Sequence, residues 1–351
     1  MRKISISADR SYEVLLDIDY LTTLESAAIG RERVAIIHSE AMTGRMTQLR
    51  DTEAQVFFFP IPDGEAGKSA DTLLKVWDWL GAAGFTRSDL IVGIGGGAVT
   101  DFAGFAAATW LRGLDWIAVP TTVAGMVDAA IGGKTGINSE YGKNLIGSFN
   151  SPIQVIIDLT WLSTLDDRDF AAGLAEVIKC GFIADPTILE ILEGKGLQAI
   201  RASQEITLEL IERSVKVKAN LVSLDFKESF AREALNYGHT FGHAVELLSK
   251  YELRHGECVS IGMAFIAYLS RALNIIDDLL LDRHLQILKE LGLPITVSGH
   301  SLEEFLSVMA LDKKSRGRKL RFVVLSGLGQ TQRLEDPPVE SLALAYERVC
   351  S

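Results

Sequence analysis

Three of the six histidines lie close together in the sequence, among acidic residues. His239 and His243 are four residues apart, so on a helix they share one face, an arrangement that metal sites often use. His255 follows, with Glu246 and Glu257 nearby. The same spacing also fits a helix face of hydrogen-bonded core histidines. The residues alone therefore leave two interpretations open, a metal site on His239 and His243 or histidines that only pack.

A glycine-rich segment, residues 93–98 (GIGGGA), lies between an apolar run and a helical pattern. Glycines at such a turn let backbone N–H groups approach a pyrophosphate at a helix N-terminus. An ordinary strand-to-helix turn is the alternative. The loop follows the third or fourth predicted strand rather than the first, and the acidic residue about 20 positions on, Asp115, opens the next strand instead of closing it. The sequence thus predicts a pyrophosphate-binding loop whose position among the strands differs from that in the usual dinucleotide-binding fold.

Basic residues recur inside motif-like stretches of this chain. Lys134 lies among glycines, where the backbone passes close to another group. Lys179 follows Glu176 by one helical turn and so shares its face. For any single basic residue, a solvated surface charge is the alternative. Together they predict an anion-binding pocket, and they are Lys68, Arg112, Lys134, Lys143, Lys179, Lys218, Arg232 and Lys314.

The elements that position these residues change character near residue 165. Short apolar runs alternate with helical patterns before it, which predicts a mostly parallel sheet with ligands at the carboxyl ends of its strands. After it, long 3.6-period segments dominate, and Arg232, Asn236 and His239 line one face of a helix predicted over 231–248. We predict an α/β class: a Rossmann-like parallel-sheet domain (1–165), then a mainly α-helical domain (166–351), with the site in the cleft between them. The predicted strands are 34–38, 56–61, 90–94, 116–119, 155–159 and 320–325, and the other predicted helices are 69–82, 100–111, 169–183, 204–224, 258–272 and 279–291.

Composition excludes several classes of function. The 351 residues are 48% hydrophobic and carry a net charge of −11, which argues against general nucleic-acid or anionic-membrane binding. The three cysteines, Cys180, Cys258 and Cys350, form no CxxC motif, so neither a disulfide framework nor a zinc ribbon is indicated. The N-terminus lacks the apolar core of a signal peptide, and no apolar run reaches about 18 residues. We therefore expect a cytoplasmic protein.

Several motifs, in order and with matching spacing, resemble the dehydroquinate synthase family of sugar-phosphate cyclases. The resemblance extends from about Asp63 to Leu325. Several positions depart from the family pattern, and among them Asp169 stands where a Glu is usual. The motifs are residues 95–105 (GGGAVTDFAGF), 120–122 (PTT), 128–136 (DAAIGGKTG), 142–147 (GKNLIG), 173–179 (GLAEVIK), 235–244 (LNYGHTFGHA) and 255–257 (HGE).

The resemblance implies a catalytic metal on Glu176, His239 and His255, with His243 beside it as a substrate-contacting or proton-handling group. Two imidazoles and a carboxylate with open positions suit zinc, and also cobalt. It also implies a bound NAD, whose contacts would be Glu65, Lys68, Gly96, Gly97, Asp101, Thr121, Thr122, Asp128, Lys134, Lys143 and Thr164.

By the same resemblance, the pocket would hold a sugar-acid phosphate at both ends. Lys134, Asn144, Lys314 and His243 would bind the phosphate, and Arg112 would reach it from a neighbouring subunit of a homodimer. The groups for the carboxylate and nearby hydroxyls would be Lys218, Arg232 and Asn236, with Lys179 beside Glu176.

The implied reaction converts 3-deoxy-D-arabino-heptulosonate 7-phosphate into 3-dehydroquinate and phosphate. It proceeds by oxidation, phosphate elimination, reduction, ring opening and aldol closure, and NAD emerges unchanged. Three alternatives remain at this point. Another sugar-phosphate cyclase would alter the carboxylate set, a metal-dependent polyol dehydrogenase would not need the basic groups, and a non-enzymatic binding module would need neither metal nor convergent charges.

Overall fold

The chain divides into two compact units, Met1–Leu165 with Lys218–Phe226, and Asp166–Val217 with Lys227–Ser351. The structure is a computed structural model that describes residues 1–226, 231–316 and 319–350, with the backbone alone at residues 231 and 311–316. The segment 218–226, which the sequence places in the second domain, groups with the first unit. Within these described ranges, no helix is both long and apolar enough to cross a membrane.

The first unit is built on a parallel sheet. Its strands and helices are β1 (Arg2–Ser7), β2 (Ser11–Leu16), α1 (Tyr20–Ala28), β3 (Arg33–Ser39), β4 (Gln55–Ile61), α2 (Ala70–Ala82), β5 (Leu90–Gly95), α3 (Gly97–Thr109), β6 (Asp115–Pro120), β7 (Lys134–Ser139), β8 (Gly142–Phe149) and β9 (Gln154–Ile157). Short 3-10 helices cover Glu40–Arg45, Gly64–Gly67, Trp110–Arg112 and Leu159–Thr164, and a π-helical turn covers Gly125–Ala129.

Seven of these strands form one sheet in the order β1-β2-β9-β6-β5-β3-β4. The pairs from β2 to β4 are parallel, and only β1 joins antiparallel at the edge. A parallel strand with both faces covered consists of continuous apolar residues, and β5 is buried along its whole length. The predicted α/β class is confirmed, and each of the five strands predicted in this half corresponds to an observed strand.

A separate hairpin of β7 and β8 carries several of the predicted site residues. The two strands pair antiparallel, with Lys134 opposite Phe149. Most residues of β8 are exposed, so the segment lacks the alternating apolar pattern by which a half-buried strand is recognised in a sequence. For this reason the sequence does not predict the hairpin.

The second unit is mainly helical, as predicted. α9 is its central helix, because it is buried along nearly its whole length and packs against α4, α8, α10 and α12. The elements are α4 (Asp167–Ile183), α5 (Thr187–Leu192), α6 (Leu197–Ala202), α7 (Gln204–Leu224), α8 (His239–Leu248), α9 (His255–Ala272), α10 (Asp278–Glu290), α11 (Leu302–Arg316), β10 (Arg321–Gly327), β11 (Gln330–Glu335) and α12 (Val339–Val349), with a 3-10 helix at Ala231–Asn236.

The helix predicted over residues 231–248 is wrong as a single element. A 3-10 helix covers Ala231–Asn236, and α8 begins only at His239. Gly238 separates them with a left-handed backbone, φ +79°. A continuous α-helix cannot pass through that conformation. Arg232, Asn236 and His239 therefore do not lie on consecutive turns of one helix face.

Candidate active site

Helix α4 places a carboxylate and an ammonium group in the core of the second unit. Glu176 and Lys179 are each only 1% exposed, and Lys179 Nζ pairs with Glu176 Oε2. Their spacing of one helical turn puts them on the same face, as the sequence predicts. Burying charged groups is unfavourable unless they are paired, so this pair marks a specialised position rather than ordinary packing.

Two histidines face the same carboxylate. His239 Nε2 and His255 Nε2 each lie 3.4 Å from Glu176 Oε1. The ligand atoms of the three residues all lie within 4.8 Å of one another. In a tetrahedral zinc site with bonds of about 2.0–2.1 Å, neighbouring ligand atoms are about 3.3 Å apart. The two spacings of 3.4 Å to Glu176 Oε1 match that geometry.

The surroundings of these ligand atoms also fit a metal ion. Neither carboxylate oxygen of Glu176 accepts a hydrogen bond of normal geometry from the described residues, although the side chain is buried. His239 Nδ1 lies 3.1 Å from the Tyr237 carbonyl oxygen, so Nδ1–H donates there and Nε2 keeps its lone pair. Two imidazole nitrogens and one carboxylate are a donor set for Zn²⁺ or Co²⁺.

Electrostatics at the three residues are compatible with that role. Burial alone would raise the pKa of Glu176, but Lys179 and His239 outweigh it and hold that pKa well below its usual range. Burial, and next Lys179, lower the pKa of His239. Burial opposes protonation of His255, but Glu176 and Glu246 raise its pKa to about 10. A binding metal ion would therefore find an ionised Glu176 and displace a proton from His255.

His239 and His243, the pair suggested by the i, i+4 spacing, do not converge in the way that Glu176, His239 and His255 do. His239 and His243 both lie on α8, and their rings are 5.3 Å apart and nearly perpendicular. In the part of the chain that the structure describes, no three-residue group of potential ligands contains both. His243 instead groups with Glu246 and His255. The structure thus offers two overlapping groups, which share His255.

Two glycines let the three ligand-bearing helices approach closely. A Cβ atom on Gly256 would lie 1.7 Å from the Ala172 carbonyl oxygen, so α9 contacts the backbone of α4. A Cβ atom on Gly262 would lie 1.9 Å from the Gly238 carbonyl oxygen, where the chain enters α8. Any larger residue at either position would push the helices apart. The glycines therefore set the separation of Glu176, His239 and His255.

A cavity of about 150 Å³ adjoins His239 and His243 in the second unit. Asn236, predicted to bind substrate, lines it, and so do Lys319 and Arg321, which the sequence analysis missed. Lys319 Nζ lies 3.3 Å and Arg321 Nε 3.1 Å from carboxylate oxygens of Glu335. Their spacing of two residues at a strand start is the signal that could have revealed them.

Two other residues predicted for the substrate belong to this unit. Arg232 is 2% exposed, a rare environment for an arginine side chain. The backbone of Lys314 lies in α11, but its side chain lies outside the described residues. Asp169, which stands where the family has Glu, accepts a hydrogen bond of 2.6 Å from Arg254 Nε.

In the first unit, Lys68 is the centre of a polar cluster. Its side chain is 2% exposed, and Nζ lies 2.7 Å from Asp101 Oδ2 and 2.5 Å from Asn144 Oδ1. Glu65 lies 3.8 Å from Lys68 Nζ and 4.0 Å from Lys143 Nζ. The structure therefore brings together five of the residues that the family resemblance assigns to NAD or phosphate.

The sequence analysis missed the residue that supports this cluster, Asn138. Its Nδ2 donates to Glu65 Oε2 at 2.7 Å, and its Oδ1 accepts from the Asn144 backbone N–H at 3.0 Å. Asn144 has a left-handed backbone, φ +56°, a conformation that is uncommon for non-glycine residues but that asparagine adopts more readily than most. The Asn138 side chain thus helps to hold this part of the hairpin, and no pattern in the sequence marks it.

The glycine loop leads directly into α3. Gly96 is the N-cap residue, so α3 begins with backbone N–H groups that no side chain caps. The Thr121 backbone N–H donates to the Gly95 carbonyl at 2.9 Å. A Cβ atom on Gly96 would lie 3.3 Å from Thr122 Cγ2. Gly96, Gly97, Thr121 and Thr122 therefore form one surface at the carboxyl ends of β5 and β6.

Asp128 and Lys218 are in direct contact, which the sequence analysis did not predict. Lys218 Nζ lies 2.5 Å from Asp128 Oδ1 and 2.5 Å from its carbonyl oxygen. Asp128 lies in the π-helical turn Gly125–Ala129, and such turns are frequent at functional sites. A residue predicted for NAD and a residue predicted for the substrate thus meet in the first unit.

Three further predicted residues of the first unit lie at other positions in the fold. Lys134 begins β7 and is exposed. Arg112 is exposed on a left-handed backbone, φ +69°, directly after Leu111 at φ +49°. Thr164 Oγ1 donates to the Trp161 carbonyl at 2.7 Å.

Solved structures with this fold include sugar-phosphate cyclases. A 2-epi-5-epi-valiolone synthase from Streptomyces hygroscopicus with bound NAD⁺ and Zn²⁺ superposes with a TM-score of 0.90, at 26% identity and 99% coverage of both chains. A 2-deoxy-scyllo-inosose synthase with carbaglucose-6-phosphate, NAD⁺ and Co²⁺ gives a TM-score of 0.87 at 24% identity, covering 99% of both chains. An iron-containing alcohol dehydrogenase gives 0.67 at 16%, covering 96% of this chain and 97% of its own.

Sequence comparison is more specific. Family models for the N-terminal and C-terminal parts of 3-dehydroquinate synthase match residues 58–172 and 173–315. The 3-dehydroquinate synthase of Mycolicibacterium vanbaalenii is 46% identical, covering 99% of this chain and 98% of its own. That of Streptomyces coelicolor is 50% identical, covering 96% and 94%. The chain belongs to the 3-dehydroquinate synthase family.

Proposed function

We propose that this chain converts 3-deoxy-D-arabino-heptulosonate 7-phosphate into 3-dehydroquinate and phosphate, with NAD and a zinc or cobalt ion as cofactors. The observation that carries the proposal is the group of Glu176, His239 and His255, whose potential ligand atoms lie within 4.8 Å of one another, with Lys179 beside it, in a chain of this family. Bound NAD would accept and return one hydride, and the bound metal ion would polarise the substrate oxygens at the oxidised carbons.

The chain's own residues would hold the substrate by its two anionic ends. Lys134, Asn144, Lys314 and His243 would bind the phosphate, and Lys218, Arg232 and Asn236 the carboxylate and hydroxyls. Planar arginine suits a carboxylate and lysine supplies a point charge for phosphate. Fixing both ends of one flexible molecule lowers the entropic barrier of every step. The deep burial of Arg232 supports a specific role, because an arginine that is only a solvated surface charge would be exposed.

The first unit would bind NAD. Backbone N–H groups at Gly96 and Gly97 would face the pyrophosphate, where the dipole of α3 favours negative charge. The polar cluster of Glu65, Lys68, Asp101, Lys143 and Asn144 would hold further groups of the cofactor and the substrate. The contributions of Thr121, Thr122, Asp128 and Thr164 to NAD binding belong to the same proposal.

The active form would be a cytoplasmic homodimer. Leu111 and Arg112 both have left-handed backbones, and non-glycine residues in that conformation are enriched at functional sites. The exposed Arg112 would reach the phosphate bound by a second copy of the chain. All three cysteines are free thiols, which fits a reducing compartment.

Phosphate release with catalytic amounts of NAD tests the proposed function. Purified protein with zinc or cobalt and substoichiometric NAD should release one phosphate per substrate over many turnovers. NADH absorbance should show at most a transient no larger than the enzyme concentration. A polyol dehydrogenase would accumulate NADH one for one with substrate and release no phosphate, and that result would reject the proposal.

A further inference from the structure

His255 lies between two buried carboxylates that come from different helices. Its Nε2 is 3.4 Å from Glu176 Oε1 on α4, and its Nδ1 is 3.5 Å from Glu246 Oε2 on α8. Glu176 is 1% exposed and Glu246 is 7% exposed. Each of the two ring nitrogens therefore faces a carboxylate that has little access to water.

Glu246 has two conceivable uses, because it also belongs to the second potential ligand group with His243 and His255. In that group it would bind a metal ion itself. In the first group, with Glu176 and His239, it would instead act through His255. An imidazole that gives one nitrogen to a metal normally donates its other N–H to an acceptor, so His255 Nδ1 serves one use or the other.

The geometry favours the first group. His239 Nδ1–H is directed to the Tyr237 carbonyl, which leaves His239 Nε2 for the side where Glu176 lies. Glu176 is the more deeply buried carboxylate, and its oxygens accept no hydrogen bond of normal geometry from the described residues. His243, which the second group requires, is exposed. The ligand atoms thus converge at Glu176 Oε1, and His255 Nδ1 is left to face Glu246.

We propose that Glu246 is a positioning residue, which accepts the Nδ1–H of His255 and orients its Nε2 toward the metal held by Glu176 and His239. The inference rests on the metal site of the proposed function. The distance of 3.5 Å between His255 Nδ1 and Glu246 Oε2 is at the outer limit of a hydrogen bond. Glu246 lies two helical turns after His239 on α8, so one helix supplies both a ligand and the support of the other histidine.

The two histidines are supported unequally. The Tyr237 carbonyl that holds His239 is neutral, whereas the Glu246 carboxylate carries a full charge. Hydrogen bonds to an ionised acceptor are roughly twice as strong as neutral ones. A carboxylate also raises the electron density on the opposite ring nitrogen, which makes it a better metal ligand. We therefore expect His255 to be the stronger nitrogen donor, and its strength to depend on Glu246.

The test measures cobalt binding rather than turnover. Metal-free wild type, Glu246→Gln, Glu246→Ala and the control Glu252→Gln would be titrated with Co²⁺ in competition with a chelator, and their d–d absorption spectra recorded. Glu252 is exposed and lies three residues before His255, so its substitution should change nothing. We expect Glu246→Ala to raise the Kd for Co²⁺ by about 10- to 100-fold. Glu246→Gln, whose amide oxygen still accepts a hydrogen bond, should raise it less.

The spectra separate positioning from ligation. In both Glu246 variants the tetrahedral cobalt spectrum should keep its intensity and shift only slightly, because no ligand is lost. Thermal unfolding of the metal-free forms shows whether Glu246→Ala folds, and Glu246→Gln keeps the shape of the side chain if it does not. An unchanged Kd in both variants would overturn the inference. So would loss of the tetrahedral spectrum in Glu246→Gln with its retention in Glu176→Ala, since Glu246 would then be a ligand.

Failure of the proposed function would look different. A wild-type protein that binds no Co²⁺ would refute the metal site and this inference together. A protein that binds Co²⁺ and depends on Glu246, but releases no phosphate from the heptulosonate substrate, would leave the positioning role intact and reject only the reaction.

Discussion

Gly256 packs against Ala172 so closely that a Cβ atom on Gly256 would lie 1.7 Å from the Ala172 carbonyl oxygen. Gly256 follows His255 directly, and Ala172 lies one turn before Glu176. The contact therefore fixes the distance between two of the three residues that face the candidate metal position. Metal binding should depend on this glycine even though it offers no ligand atom.

We expect Gly256→Ala to weaken Co²⁺ binding by at least tenfold and to lower the melting temperature. The methyl group forces α9 away from α4, and overpacking of this kind destabilises by about 1–3 kcal/mol. Chelator competition and thermal unfolding measure the two effects. Gly44→Ala is the matched control, because a Cβ atom there meets nothing within 4 Å. Equal metal affinity in the two variants would mean that the helices can adjust, against our interpretation.

Removal of the metal should abolish activity. A strong chelator should inactivate the protein, and zinc or cobalt should restore it. Glu176→Ala, His239→Ala and His255→Ala should each lose metal and activity, since three protein ligands are few enough that each is needed. His243→Ala should keep the metal and turn over slowly. Metal analysis of the purified variants checks this, and loss of metal from His243→Ala with retention in His255→Ala would instead support the second ligand group.

Arg232 and Lys218 should differ in what they affect. Arg232→Ala would remove the proposed charge-assisted hydrogen bond to the substrate carboxylate, worth roughly 1.5–3 kcal/mol, so kcat/KM should fall by about ten- to a hundredfold. Lys218→Ala should cause a similar loss and also change the KM for NAD, because Lys218 contacts Asp128. Steady-state kinetics with each substrate varied separates the two. A sugar phosphate without a carboxylate should be nearly insensitive to Arg232→Ala; equal sensitivity would make Arg232 structural.

His284 should make the stability of the protein depend on pH. Burial, with a smaller effect of Arg283, lowers the pKa of His284 to about 4 against the opposing hydrogen bond to the Leu280 carbonyl. Between pH ~4 and pH ~6.5, the histidine of the unfolded chain, with a pKa near 6.5, is protonated while His284 of the folded protein is neutral. The stabilisation from neutral His284 is therefore complete above pH ~6.5 and is lost toward pH ~4, by about 3 kcal/mol at most.

Urea unfolding at several pH values checks this prediction against a variant. His284→Gln removes the titrating group and also the stacking on Phe182, whose ring lies 3.6 Å away. Wild type should exceed the variant in free energy of unfolding at pH 8, and that difference should shrink as the pH falls toward 5. A difference that stays constant with pH would show that His284 contributes through packing alone.

The sequence predicted the parallel sheet and the long helices because their apolar periodicity is strong. The helix α7 (Gln204–Leu224) has the predicted bounds. The interruption at Gly238 was not predicted, since a single glycine in a helical pattern is usually tolerated, and only its φ of +79° and its packing against α9 exclude a continuous helix. Periodicity describes which face of an element is apolar and contains no information on such close approaches.

For the site, the residues alone suggested His239 with His243, whereas the family resemblance suggested Glu176 and His255 as partners of His239. The structure brings the latter three together because α9 contacts α4 through Gly256 and the start of α8 through Gly262. Asn138 could not be singled out in advance. Its importance comes from two hydrogen bonds, to Glu65 and to the backbone of Asn144, that exist only once the hairpin has formed.

The position of His255 at the start of the central helix α9 has a consequence for the life of the protein in the cell. An ion held by α4, α8 and α9 would act as a cross-link between three helices of the second unit. At a free metal concentration 100 times its Kd, such an ion adds about 2.7 kcal/mol to the free energy of unfolding. Metal scarcity would then shorten the protein's survival against proteases as well as stop its chemistry, so abundance as well as activity would follow the metal supply.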